Sequence, residues 1–259
     1  MKLTSSTRPD ADKPIKLTPV DELGPVTAWS YSALKVFEEC AYRTYISRVK
    51  RIPEPSSPAA DRGSMIHDEA ENYVNGTLDE FPASLKKFTS EFKELREQYN
   101  GNWHLKPDVL VELEGEWAFT SDWQPTAWLA GNCWVRIKLD AYVKEDQTSA
   151  RVIDYKTGKK FGNEVGHGQQ CLLYAIAAFM RDPELQFVKT ELWYLDQGET
   201  TTQSFTRDEA MMFFPGFHSR GVKMTTTKDF DPSPSKAACR WCSYRKGDFP
   251  ECQWGVGPE

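Results

Sequence analysis

The chain has 259 residues, with 32 Lys and Arg against 38 Asp and Glu, a formal net charge of −6, and 39% hydrophobic and 27% charged residues. That length supplies one large domain able to bury a core without staples, and the composition excludes global disorder. The acidic balance does not announce a nucleic-acid ligand, so such a function requires a local basic surface. No apolar run approaches ~18 residues, which argues against a transmembrane helix and a membrane partner. The opening MKLTSSTRPDADKPIKLTPVDELGP has no apolar segment and does not read as a secretory signal, so a reducing cytoplasm is expected. There the six cysteines should not form a disulfide framework.

Residues 1–26 are polar and contain proline, and they predict a flexible arm or an extended flank. The rest, 27–259, reads as one domain, with its core over about 60–205. Leu34, Phe37, Tyr45 and Val49 recur at helical spacing and predict a helix over Tyr31–Val49, capped by Ser30 or Ser32. The run Pro53–Pro58 should end it as a loop. A second helix is predicted from about Asp61 to Val74, closing at Asn75-Gly76, and a more solvated third over 82–99. The period then changes to two. Val111, Leu113, Trp117 and Phe119 alternate with Glu112, Glu114 and Glu116 in a first strand. A second, near 133–143, puts Cys133, Val135, Ile137, Leu139, Ala141 and Val143 on one face and Asp140 on the other. Arg151–Lys156 is a third strand, 168–181 a buried helix, and Phe187–Leu195 with Thr200–Phe205 a hairpin pair. Thr206-Arg207-Asp208-Glu209 has a capping-box pattern and should open a last helix. This order predicts an α/β fold, a mixed sheet flanked by helices.

Val152-Ile153-Asp154-Tyr155-Lys156-Thr157-Gly158 is the most informative segment. Alternation sends Asp154 and Lys156 to the same side, about 7 Å apart along a strand. Asp140 occupies the polar face of the preceding strand, so pairing would bring two carboxylates together. They would repel unless a cation joined them, and such oxygen donors suit Mg²⁺ or Mn²⁺. Lys156 could then position a water and stabilise charge developing on a phosphate. A plain surface ion pair at a strand end is the competing reading. Gly63, His67 and Glu71 lie four apart on one helix face. His67 could supply an imidazole ligand, and Gly63 could let the helix approach closely; a structural histidine is the alternative. Gln170 and Tyr174 are also four apart, placed either to reach a bound strand or to pair with each other. Glu116 is a further candidate carboxylate beside Glu114, against the alternative of a solvated strand face.

Gly63-x-x-x-His67, Leu139-Asp140, Ile153–Gly158 and Gln170-x-x-x-Tyr174, in that order, resemble the RecB-type branch of the PD-(D/E)XK nucleases. The resemblance runs over roughly 28–254 and implies a restriction-endonuclease-like core. It also implies metal ligands at His67, Asp140, Asp154 and the backbone carbonyl of Tyr155, a catalytic lysine at Lys156, and DNA contacts from Gln170 and Tyr174. It implies DNA as substrate, exonuclease rather than endonuclease action, and work in recombination, repair or phage genome processing in a bacterial or phage-infected cytoplasm. A recombinase, helicase or single-strand-binding partner goes with that role. A DNA-binding accessory protein that has lost catalysis is the alternative.

Cys239-Arg240-Trp241-Cys242 is a C-x₂-C, followed by Cys252, while Cys40 stands near the other end. Four thiolates suffice for tetrahedral Zn²⁺ or a [4Fe–4S] cluster, and a redox pair or plain packing is the alternative for C-x₂-C alone. The resemblance favours iron–sulfur. Ser30-Tyr31-Ser32-Ala33-Leu34 through Phe37 and Cys40, with three late cysteines over 232–254, is similar to nucleases of the AddB and CRISPR-adaptation types. Such a cluster would join the two ends of the chain. Lys236, Arg240, Arg245 and Lys246 would then merge with Arg43, Arg48, Lys50 and Arg51 into one basic patch. Arg43, Arg240, Arg245 and Lys246 are its candidate DNA contacts, with Trp241 and Tyr244 available to stack on bases. Cys133 and Cys171 read as core.

Overall fold

The computed structural model describes residues 17–100, 110–158, 160–245 and 252–256. Its centre is a mixed sheet of six strands in the order β2-β1-β3-β4-β5-β6. These are β1 (Leu110–Phe119), β2 (Pro125–Thr126), β3 (Val135–Lys144), β4 (Ser149–Lys156), β5 (Phe187–Tyr194) and β6 (Glu199–Thr206). All neighbours pair antiparallel except β4 and β5, which are parallel. A parallel pair cannot be closed by a hairpin, so the chain crosses over through α5 (Glu164–Arg181). That crossover brings α5 back beside β4, the strand of Asp154 and Lys156.

Helices cover both faces of the sheet. On one, α1 (Tyr31–Glu39), α5 and α6 (Arg207–Thr226) pack Leu34, Ile176 and Phe214 against Trp117, Ile137, Val152 and Val188. On the other, α3 (Pro58–Val74) and α4 (Thr89–Tyr99) pack Ile66, Tyr73, Phe92 and Leu95 against Val143, Ile153, Tyr155 and Trp193. Each such side chain contributes roughly 1.5–3 kcal/mol on burial. Gly221 sets the depth of α6: a Cβ there would lie 2.4 Å from Trp29 Nε1. The expected α/β class, with a mixed sheet between helices, is what the chain adopts. No helix among the described residues is long and apolar enough to cross a membrane.

Several local expectations need correction. The helix expected over 31–49 breaks at Cys40, whose backbone is extended (φ −161°, ψ 105°). The chain resumes as α2 (Ala41–Thr44) and a π turn, Tyr45–Val49. Pro58 begins α3 rather than ending a loop, because proline suits the first helical position, and Ser57 caps Ala60 N–H at 3.2 Å. The 82–99 helix opens as a 3₁₀ turn, Ala83–Phe88. Residues 17–26 form the extended flank and not a flexible arm: Leu17 and Val20 pack on the large core and Val26 is buried in it. Residues 1–16 lie outside the described residues.

The most consequential correction concerns β1 and β3. Their odd-numbered residues do not share one face. Trp117, Phe119, Val135, Ile137 and Leu139 join the core under α1 and α5, whereas Val111, Leu113, Ala141 and Val143 join the core under α3 and α4. The change occurs at Glu114, whose φ of 48° is left-handed, and at Asp140 opposite it. One residue in that conformation interrupts the pleat and reverses which side the following residues face.

Candidate active site

The pleat reversal, the end of β4 and the crossover helix meet at one place. Asp154 and Lys156 project together from β4, and Asp154 is only 5% exposed. Gln170 and Tyr174, one turn apart on α5, face them. Tyr174 donates its hydroxyl to Asp154 Oδ1 at 2.8 Å. Gln170 Nε2 lies 2.6 Å from Tyr174 Oη and 3.4 Å from the same Asp154 oxygen. Gln170 Oε1 accepts from Lys156 Nζ at 3.1 Å, and that ammonium lies 2.5 Å from Asp154 Oδ2. Asp154 Oδ2 is buried, and the ammonium's charge compensates it.

A second polar group adjoins this ring. His67 Nδ1 on α3 lies 3.0 Å from Asp140 Oδ1, and Tyr155 N–H donates to Asp140 Oδ2 at 2.5 Å. Gly63 permits the approach of α3, since a Cβ there would stand 3.2 Å from Thr157 Oγ1. Glu114 completes the group: ligand atoms of His67, Glu114 and Asp140 all lie within 4.8 Å of one another. Lys138 pairs with Glu114 at 2.8 Å.

The electrostatics record the crowding. Burial and repulsion from Asp154 push Asp140 above the usual carboxylate range, against the opposing pull of His67. Burial alone would lower His67, but its bond to Asp140 and the charges of Asp154 and Glu114 outweigh it and raise it. Burial likewise opposes the charge on Lys156, and Asp154 and Asp140 overcome that and hold its ammonium above the ordinary lysine range. Tyr174 is held well above the usual tyrosine range by burial and by Asp154, so it stays a donor.

Of the residues singled out in the sequence, His67, Asp140, Asp154, Tyr155, Lys156, Gln170 and Tyr174 are brought to this one centre. Glu116 is not: it is exposed, and Glu114 takes the place expected of it because the left-handed turn at Glu114 redirects that side chain. Tyr174 is corrected in its role. It is buried and committed to Asp154, so in this structure it holds the carboxylate instead of facing a bound strand. The Tyr155 ring lies between His67, Phe92 and Trp193. His167 was missed. It stands three residues before Gln170 on α5, bonds Tyr194 Oη at 2.8 Å, and is lowered by burial and by Lys156. The i, i+3 spacing to Gln170 was the available signal.

Cys40, Cys239, Cys242 and Cys252 line one cleft, together with Arg43, Arg245 and Trp254. Two bonds tie the tail to the segment after α2: Tyr244 Oη donates to Ile52 O at 2.6 Å, and Ser243 Oγ to Glu54 at 2.9 Å. Burial raises the Cys242 thiol, with Cys252 close enough to add to the effect. Tyr244 is fully buried and cannot stack on a base, whereas Trp241 is 78% exposed with Arg240 over its ring. Arg43 pairs with Glu54 and is mostly covered, so it is less available to DNA than its place in the sequence suggested. Lys246 lies outside the described residues. Cys133 and Cys171 are buried, and burial pushes the Cys171 thiol up to about 11.

A model of the PD-(D/E)XK nuclease superfamily matches residues 28–246. No curated protein matches the chain. Among solved structures, that of SSO0001 is similar at 16% identity over 86% of each chain, with a TM-score of 0.44, a likeness too distant to bear on function.

Proposed function

Since the chain belongs to the PD-(D/E)XK nuclease superfamily, we propose that it is a divalent-metal-dependent DNA nuclease working through the centre of β1, β3, β4, α3 and α5. The carrying observation is the meeting of His67, Glu114 and Asp140 within 4.8 Å, beside a lysine that already faces a buried carboxylate. The donor set fits a hard divalent ion: two carboxylates and one imidazole, with the buried Asp154 carboxylate beside them. His67, Glu114, Asp140, Asp154 and the Tyr155 carbonyl would hold Mg²⁺ or Mn²⁺. When bound, the ion supplies positive charge against the scissile phosphate and acidity for the attacking water. Lys156 places a fixed ammonium where negative charge develops on the phosphate. Gln170 and Tyr174 hold Lys156 and Asp154 in register. His67 must be neutral to offer a lone pair, so Asp140 orients the ring while competing for its proton.

Exonuclease action, a place in recombination, repair or phage genome processing, and a recombinase, helicase or single-strand-binding partner rest on the RecB-type resemblance alone. So does a [4Fe–4S] cluster at Cys40, Cys239, Cys242 and Cys252, with Zn²⁺ the alternative for the same thiols. Its support here is that all four line one cleft. End-labelled single- and double-stranded DNA incubated with Mg²⁺ or Mn²⁺ tests the enzyme. Stepwise shortening that stops on chelation is expected, and intact substrate under every metal condition would overturn the reading. Iron and sulfide analysis of anaerobically purified protein tests the cluster; stoichiometric zinc without iron would replace it.

A further inference from the structure

A second cleft, of about 380 Å³, opens between α1 and the segment that follows α2. It shares no lining residue with the metal-ligand group. Ser32, Ala33 and Val36 of α1 form one wall, and Thr44, Arg48 and Arg51 are on the other.

Three groups in this cleft have unspent donors. Arg48 and Arg51 are exposed, and neither side chain makes an ion pair or hydrogen bond among the described residues. Thr44 is 1% exposed, and its buried hydroxyl has no hydrogen-bond partner, an arrangement that ordinarily costs about 1–3 kcal/mol. Threonine inside a helical segment usually spends its proton on a preceding carbonyl, as Ser47 does here on Arg43 O at 3.0 Å. The acid in the lining, Glu54, is already engaged by Arg43 and Ser243. Two unpaired guanidiniums with one unpaired hydroxyl suit a tetrahedral oxyanion. Val36, Ile52 and Pro53 add an apolar wall beside those donors, and the volume falls in the usual range for a ligand site of ~300–1,000 Å³. Together they match a unit with an anionic head and a flat apolar body.

We infer that this cleft binds one phosphate-bearing nucleotide unit of a nucleic-acid strand, held by Arg48, Arg51 and Thr44, none of which belongs to the reacting centre. The inference rests on the nuclease reading for the identity of its ligand. Arg51 fits this role by its backbone as well. Its φ of 58° is left-handed, a conformation costly for a residue with a Cβ and free for glycine.

The test is binding of a fluorescein-labelled 20-nucleotide single strand in EDTA, read by anisotropy, with no cleavage required. Arg48→Gln with Arg51→Gln should weaken binding about tenfold and lower the slope of log affinity against log salt by about one to two. Thr44→Val should weaken it less, with unchanged thermal stability. Arg51→Gly should weaken binding while raising the melting temperature, a combination that a purely structural arginine would not produce. Equal affinities for wild type and the double variant would overturn the inference. So would displacement of the strand by micromolar nucleoside monophosphate, which would reassign the cleft to a free nucleotide. A wild type that binds strands through these residues yet cuts nothing in Mg²⁺ or Mn²⁺ would sink the nuclease reading and leave the cleft standing.

Discussion

The carboxylate centre and the cysteine cleft both gather residues far apart in the chain, but by different means. At the centre, rigid elements do the gathering: β3 and β4 carry Asp140 and Asp154, and α3 and α5 bring His67, Gln170 and Tyr174 onto them. Nearly every polar atom there is engaged, and the charges oppose one another. At the cleft, the gathering falls to the break at Cys40, the five-residue helix α7 (Lys236–Arg240) and two hydrogen bonds from the tail. The centre is thus assembled by the fold before any ligand arrives, at a cost in like-charge repulsion. The cleft is held instead by side-chain contacts between loops and short helices, among them the Tyr42–Trp254 ring pair and the buried Tyr244.

Removing the ammonium should separate the two regions most sharply. Lys156→Ala is expected to lower cleavage of labelled DNA by about 10²–10³-fold or more, with the cysteine cleft and the far-ultraviolet circular dichroism unchanged. Retained cutting would show that the centre is not catalytic. Cys239→Ser attacks the other side of the comparison. If a metal or cluster joins Cys40 to the tail, its loss reopens a loop of nearly the whole domain, worth about 4–5 kcal/mol by chain closure. A matching fall in melting temperature with loss of bound metal is expected; an unchanged melting curve would mean that the thiols clamp nothing.

Asp140→Asn should have the opposite sign. A carboxyl whose folded pKa is raised loses stability as pH rises from its unfolded value through the folded one, so at neutral pH the ionised group is a burden. The variant should stabilise metal-free protein by about 1–2 kcal/mol, while abolishing stabilisation by added Mn²⁺. Destabilisation in EDTA would refute that account. His67 adds a pH dependence in the same direction. Its raised pKa contributes stability below about 6.5 that fades as pH rises through the folded value, whereas binding of Mn²⁺ strengthens over that range as the proton leaves. Calorimetric titrations from pH 5.5 to 8 should show the two trends crossing, and parallel trends would exclude His67 as a ligand.

The smallest effect lies outside both regions. Lys144 lies 2.5 Å from Asp182, and although burial opposes it, this bond holds the Asp182 carboxyl below its usual range. Its contribution is present above the unfolded pKa and is lost as pH falls through the folded one. Asp182→Asn should cost about 0.5–1 kcal/mol at neutral pH and nothing in strong acid, measured by urea unfolding.

What the sequence determined by itself was the local repeat of β4 and of the helices, though not the face reversal within β1 and β3. Period two put Asp154 and Lys156 on one side, and period 3.6 put Gln170 and Tyr174 on one helix face. Capping chemistry at Ser30 and at Thr206 with Glu209 marked two helix starts. These are consequences of covalent geometry within a few residues, so no knowledge of distant partners was needed. Only the tertiary structure decided which acid joins the centre. Glu114 and Glu116 have the same period and chemistry, and a left-handed turn that strand pairing stabilises selects the first. It also decided that Tyr174 faces Asp154, and that the first helix stops at Cys40. Convergence of remote side chains depends on how sheets and helices pack across the whole domain, and a local periodicity carries no record of that packing.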